Sequence, residues 1–268
     1  MSSSTIQVTT SNEPSVPGSA SRLLMQMARR DIATLFRTPW IIISRSLAFI
    51  IQLFVFAYLI SRLVVSYPNY FGYYAVGAVV STVASISFII GYDIFEEAEE
   101  GLLDYLLTLP IPRREFIIGR ALGGAVRAMI YTIPMFVIVA VVENFANPLS
   151  ILAAVFDLFL IAFGVTGLSI TVAVSVRSAN RFDVVLALLE LAVTRASTAL
   201  YPLNFLPAYV KVFAPFSPVT FASDSARAAL SGLSLDLPGL AGLLAFVAIF
   251  LGLGATFYFR RLEGGVYA

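Results

Sequence analysis

The side chains able to do chemistry in this chain are carboxylates and arginines, because it contains no histidine and no cysteine. That removes the commonest general base, the commonest metal ligand and every thiolate reaction, together with HExxH zinc sites and disulfides. The carboxylates fall into two groups. Glu96, Glu97, Glu100 and Asp104 crowd one short segment, whereas Asp157 and Glu190 stand alone in apolar stretches. Crowded carboxylates hold a divalent cation when a turn fixes their geometry, and nothing in this segment fixes it. Asp157 and Glu190 would have to converge to act as an aspartyl pair, but they lie at different depths in their stretches. No GxxxxGK[ST] loop is present, so the chain lacks that route to ATP hydrolysis. Ion pairing and partner recognition are the chemistry that remains.

The elements that must position these charges are membrane spans. The chain is 59% hydrophobic and 12% charged over 268 residues. Soluble domains carry about 25% charged residues, and a chain of this length cannot bury so much apolar surface in one aqueous core. An all-α integral membrane protein is expected, with six spans near 40–61, 70–92, 121–142, 149–176, 184–201 and 238–259. Each approaches the ~20 residues that cross ~30 Å of hydrocarbon. The fifth is the least apolar, since it holds Glu190 and Arg195.

Residues 1–21 are rich in Ser and Thr and read as a disordered tail ahead of one permeating domain over 22–268. Residues 22–38 alternate Leu24, Met27, Ala28 and Leu35 with Arg22, Arg29, Arg30 and Arg37, a pattern for a helix lying among lipid headgroups. Loop charges set the orientation. One side collects Arg22, Arg29, Arg30, Arg37, Arg113, Arg114, Arg120, Arg177, Arg181, Arg260 and Arg261, and the other has Arg62, Lys211 and Arg227. Both termini are therefore expected in the cytoplasm of a plasma-membrane protein. Net charge is +1, so nucleic acid is not an expected partner.

Between the second and third spans, Leu102 and Leu106, and Leu103 and Leu107, are spaced i,i+4. They form one apolar face, with Glu96, Glu97, Glu100 and Asp104 opposite. Pro110 and Pro112 end that helix, and Arg113 and Arg114 anchor the return to the membrane. A short cytoplasmic helix over about Glu96 to Leu109 is expected.

The order Glu100, Gly101, Leu103, Asp104, Leu106, Leu107, Pro110, Arg113-Arg114-Glu115, Gly119-Arg120 resembles the cytoplasmic loop of type-2 ABC transporter permeases. Leu102, Asp104 and Arg120 stand where that family usually has Thr, Glu and Lys. A second stretch, Leu206-Pro207, Pro215, Ser217-Pro218-Val219-Thr220-Phe221, Ala226-Arg227 and Gly232, is similar to the family's segment between its last two spans. There the family forms short external helices, and Ser217-Pro218 is a good helix start on its own terms. The resemblance implies the permease subunit of an exporter, with no catalytic site or bound cofactor of its own. It implies that ATP is consumed by a separate ATPase subunit, and that a second permease copy, identical or related, completes the path. It also assigns Glu96, Glu97, Glu100, Gly101, Leu103, Asp104, Leu107, Arg113 and Arg114 to coupling with that ATPase. A non-transporting membrane scaffold and a proton-coupled carrier are the competing readings.

Arg127, Asp157, Glu190 and Arg195 lie within expected spans, where an unpaired charge costs about 2.5–3.5 kcal/mol. They are candidates for the substrate path or for ion pairs. Glu190 and Arg195 are separated by about 140° around a helix and face apart. Depth matches Arg127 with Glu190, and Asp157 with Arg195.

Overall fold

The computed structural model describes residues 39–64, 68–101, 113–145, 147–176, 178–232 and 236–264. The tail at 1–21, the interfacial helix expected at 22–38, and Leu103, Asp104 and Leu107 of the acidic loop lie outside those residues. The described chain is helical, with no strand. In order it forms α1 (Pro39–Ile51), a π-helical turn (Gln52–Ala57), α2 (Tyr58–Leu63), α3 (Tyr70–Glu99), α4 (Arg113–Val142), α5 (Pro148–Ser175) and α6 (Ala179–Arg195). Three short pieces follow, at Leu203–Phe205, α7 (Ala208–Lys211) and Ala214–Phe216. Helices α8 (Pro218–Leu230) and α9 (Leu237–Gly264) complete the order.

Four helices are long and apolar enough to cross a membrane: Tyr70–Glu99, Ile117–Val142, Pro148–Ser175 and Leu237–Phe257. They match the second, third, fourth and sixth expected spans. The first expected span is one helical run interrupted by the π turn, and its apolar part is shorter, Ser46–Arg62. The fifth differs from expectation. Helix α6 has only 17 residues, about 25 Å of rise against ~30 Å of hydrocarbon. It stops where hydroxyls bond back to main-chain carbonyls: Thr194 Oγ1 donates to Glu190 O at 2.6 Å, and Ser197 Oγ to Thr194 O at 2.7 Å. Such bonds compete with the helical ladder, and residues 196–201 run on as irregular backbone.

Helix α5 is the hub, packed against α9, α3, α8 and α4. Small residues let these helices approach. Gly164 of α5 lies against Phe246 and Val247 of α9, and Gly167 against Leu251, the close packing on which membrane helices depend for association. The start signals are local. Asn147 caps α5 by accepting from Leu149 N at 3.0 Å with Pro148 in the first turn, and Ser217 caps α8 in the same way with Pro218.

Helix α3 also corrects an expectation. The cytoplasmic helix was placed from Glu96 onward, yet Glu96, Glu97 and Glu99 belong to the last turns of α3. The chain leaves that helix at Gly101, whose φ of +74° is a left-handed conformation that favours glycine.

Candidate functional site

The end of α3 and the start of α4 flank the acidic loop and run antiparallel. Asp93 and Glu97 are one turn apart on α3, and Arg120 and Arg127 are two turns apart on α4, so each pair presents its charges on one face. Arg120 donates to Glu97 Oε2 at 2.7 Å, with the two side chains 5% and 17% exposed. Arg127 pairs with Asp93 one step deeper. The loop thus leaves and returns to the bundle through a stem braced by two ion pairs. Glu96 and Glu100 remain exposed on it. The side chains of Arg113 and Arg114 lie outside the described structure.

These pairs replace the ones expected from depth alone. Among the described residues no ion pair joins Arg127 to Glu190, or Asp157 to Arg195. Helix α6, which carries Glu190, packs on α3, α5 and α8, whereas α4 meets α3 directly across the hairpin. Arg127 therefore finds Asp93 first. Arg195 is exposed at the last turn of α6. Asp157 is buried in α5 at 4% exposure. It is turned toward Ser225 of α8.

At the opposite end, a second cluster forms around a residue the sequence placed among the outer loop charges and in the second resembling stretch, with no site role. Arg227 of α8 donates to Asp224 Oδ1 at 2.8 Å, to Tyr73 O at 3.2 Å and to the carbonyl of Ala199. Its guanidinium carbon sits 3.5 Å from the centre of the Tyr73 ring, within cation–π range. Around it, Tyr73 Oη donates to Thr198 O at 2.5 Å and Tyr70 Oη to Leu200 O at 2.8 Å. Thr198 N donates to Thr220 Oγ1 at 3.0 Å. Burial pushes the Asp224 carboxyl up from the usual carboxylate range, and the Arg227 guanidinium beside it pulls the other way. The sequence signal for this cluster was present. Arg227 and Asp224 are the charged residues of a helix otherwise built mainly from small ones, Ala222, Ser223, Ser225, Ala226, Ala228 and Ala229.

No group of three or more His, Cys, Asp or Glu among the described residues is placed to hold a metal ion. What the arrangement offers is mechanical. Long helices run from a braced stem at one end of the bundle to a polar cluster that fastens irregular backbone at the other.

Comparison with known proteins agrees with the membrane architecture. The "Putative transport permease ycf38" of Cyanophora paradoxa is 26% identical over 216 residues, covering 76% of this chain and 72% of that protein. The family model described as ABC-2 type transporter matches residues 22–231. The match takes in α1 to α8, the braced stem and the Arg227 cluster and stops short of α9, and the chain belongs to the ABC-2 type transporter membrane family.

Proposed function

We propose that the chain is the membrane-spanning permease subunit of an ATP-driven exporter. On this reading residues 22–268 form one domain behind a tail at 1–21, cross the plasma membrane six times and keep both termini in the cytoplasm. Two permease copies, identical or related, enclose the substrate path. A separate ATPase grips the segment from Glu96 to Arg114. The observation that carries the reading is the braced stem. Ion pairs at Glu97–Arg120 and Asp93–Arg127 tie the two ends of the acidic loop together, so a force applied there moves α3 and α4 as a unit. Gly101 marks where the docking helix departs from that lever.

Burying leucines of the loop on a partner contributes roughly 1.5–3 kcal/mol per fully buried side chain before ordering costs. Replacing Leu103 and Leu107 together by Asp is therefore expected to release the ATPase while the permease stays inserted. Glu100→Gln should weaken ATPase stimulation more than binding, since a single charge chiefly sets orientation. Co-purification with the cognate ATPase and permease-stimulated hydrolysis measure both. Unchanged binding and stimulation in the double Asp variant would remove the case for a transporter subunit.

Orientation has its own check. Single cysteines at Ser4, Ala98 and Ser231 can be introduced without first removing any native thiol, because the chain has none. An impermeant thiol reagent on intact cells should label only the one at 231. Labelling of the cysteine at 98 from outside would invert the topology and put the loop out of an ATPase's reach.

A further inference from the structure

We infer that Arg227 is the positioning residue that holds the outer end of the transport path closed; the inference rests on the permease reading above. Residues 197–200 are non-helical and buried, with exposures of 1%, 6%, 0% and 5%. Irregular backbone at membrane depth survives only when protein groups satisfy its polar atoms. Here that duty is divided among side chains on two other elements: Tyr70 and Tyr73 of α3 hold the flanking carbonyls, and Arg227 of α8 holds Ala199.

Arg227 touches all three walls. Its planar fork reaches the α3 backbone at Tyr73 and the irregular segment at Ala199, while Asp224 on its own helix orients it. A lysine in its place is a point charge with no such fork. Gly77 of α3 completes the contact, since a Cβ there would run into the carbonyl of Ala199. Immediately beside the guanidinium is a cavity of about 210 Å³ between the start of α3, the end of α4 and α8, lined by Asn69, Tyr73, Glu143, Phe145 and Arg227. Loss of the Arg227 contacts would join that space to the buried segment and admit water from outside.

The test uses Ser197→Cys as the reporter, a near-isosteric change at a position that is 1% exposed. An impermeant thiol reagent is applied to intact cells carrying the full transporter, with and without depletion of cellular ATP. Slow labelling is expected in the parent. Arg227→Gln should label about tenfold faster or more, the scale set by losing hydrogen bonds to a charged donor. Arg227→Lys should fall between. Gly77→Ala reaches the same end while leaving Arg227 in place, since its Cβ would run into the Ala199 carbonyl and crowd the guanidinium, and it keeps the test decisive if Arg227→Gln fails to accumulate in the membrane. Turnover should speed labelling of the parent, whereas the open variants should label at one rate whether or not ATP is present. Thr166→Cys, at a fully buried position of α5, should stay unlabelled in the same variants, which a general loss of stability would not allow. Rates within twofold of the parent in both Gly77→Ala and Arg227→Lys would overturn the role of Arg227. Faster labelling in the variants with no ATP effect on the parent would uphold the closure and count against the ATP-driven reading.

Discussion

Reversing Arg120 to Glu is expected to remove most of the folded protein from the membrane. Arg120 is 5% exposed and its partner Glu97 17%, so the change takes a buried cation away from Glu97 and places a second carboxylate beside it. Breaking a buried pair from one side costs about 3–5 kcal/mol, a large part of the ~5–15 kcal/mol by which proteins are stable at all. Arg127→Glu should do less harm, because Asp93 is 35% exposed and solvent screens the pair. The double reversal Glu97→Arg with Arg120→Glu should recover much of the yield and thermal stability. A double variant no better than the worse single would show that the two residues do not act as a pair. Where the double variant folds, ATPase stimulation reports whether the stem still transmits.

Gly91→Ala is the second change expected to have a large effect. A Cβ on Gly91 of α3 would run into Ser169 Oγ of α5. That hydroxyl is not free to turn aside, since it donates to Phe88 O at 2.8 Å across the same interface. The addition either displaces Ser169 and orphans a buried polar group or pushes two central helices apart. Overpacking of this kind costs about 1–3 kcal/mol, and an unsatisfied buried hydroxyl adds about 1–3 kcal/mol. Thermal unfolding in detergent should show a clear loss for Gly91→Ala. Gly252→Ala on α9, where a Cβ meets open space, should show almost none. Equal behaviour of the two would mean that α3 and α5 are not packed through Gly91.

Much of the layout was legible in the residues because membrane spans are written in local runs of apolar side chains. The fourth span, expected at 149–176, is a helix from Pro148 to Ser175. The Ser217-Pro218 start of the external helix was equally local. What failed depended on neighbours. Arg127 was matched to Glu190 by depth, but depth is shared by every helix in the bundle, and adjacency across the α3–α4 hairpin decided for Asp93. The end of α6 was overrun because Thr194, Ser197 and Thr198 look tolerable in an apolar run. The Thr194 and Ser197 hydroxyls bond main-chain carbonyls instead and Thr198 Oγ1 turns to Asp224, while Tyr70, Tyr73 and Arg227 supply what the broken helix lacks. Arg227 was visible as an outer charge and as part of the resembling stretch, but its contacts were not, since its partners lie as far as 154 positions away in sequence.

The π turn at Gln52–Ala57 bears on how this chain tolerates changes in length. A π turn stores one residue more than an α-helical turn of the same span. Deleting a residue elsewhere in a helix rotates everything beyond it by about 100°, and would swing Leu53 or Ala57, both fully buried, out to the surface. Deleting one within the turn can be absorbed by its tightening to the α form, with the flanking faces of α1 and α2 kept in phase. The first span therefore contains one place where a codon can be lost without scrambling the helix, and natural variants in which this span is one residue shorter should cluster there.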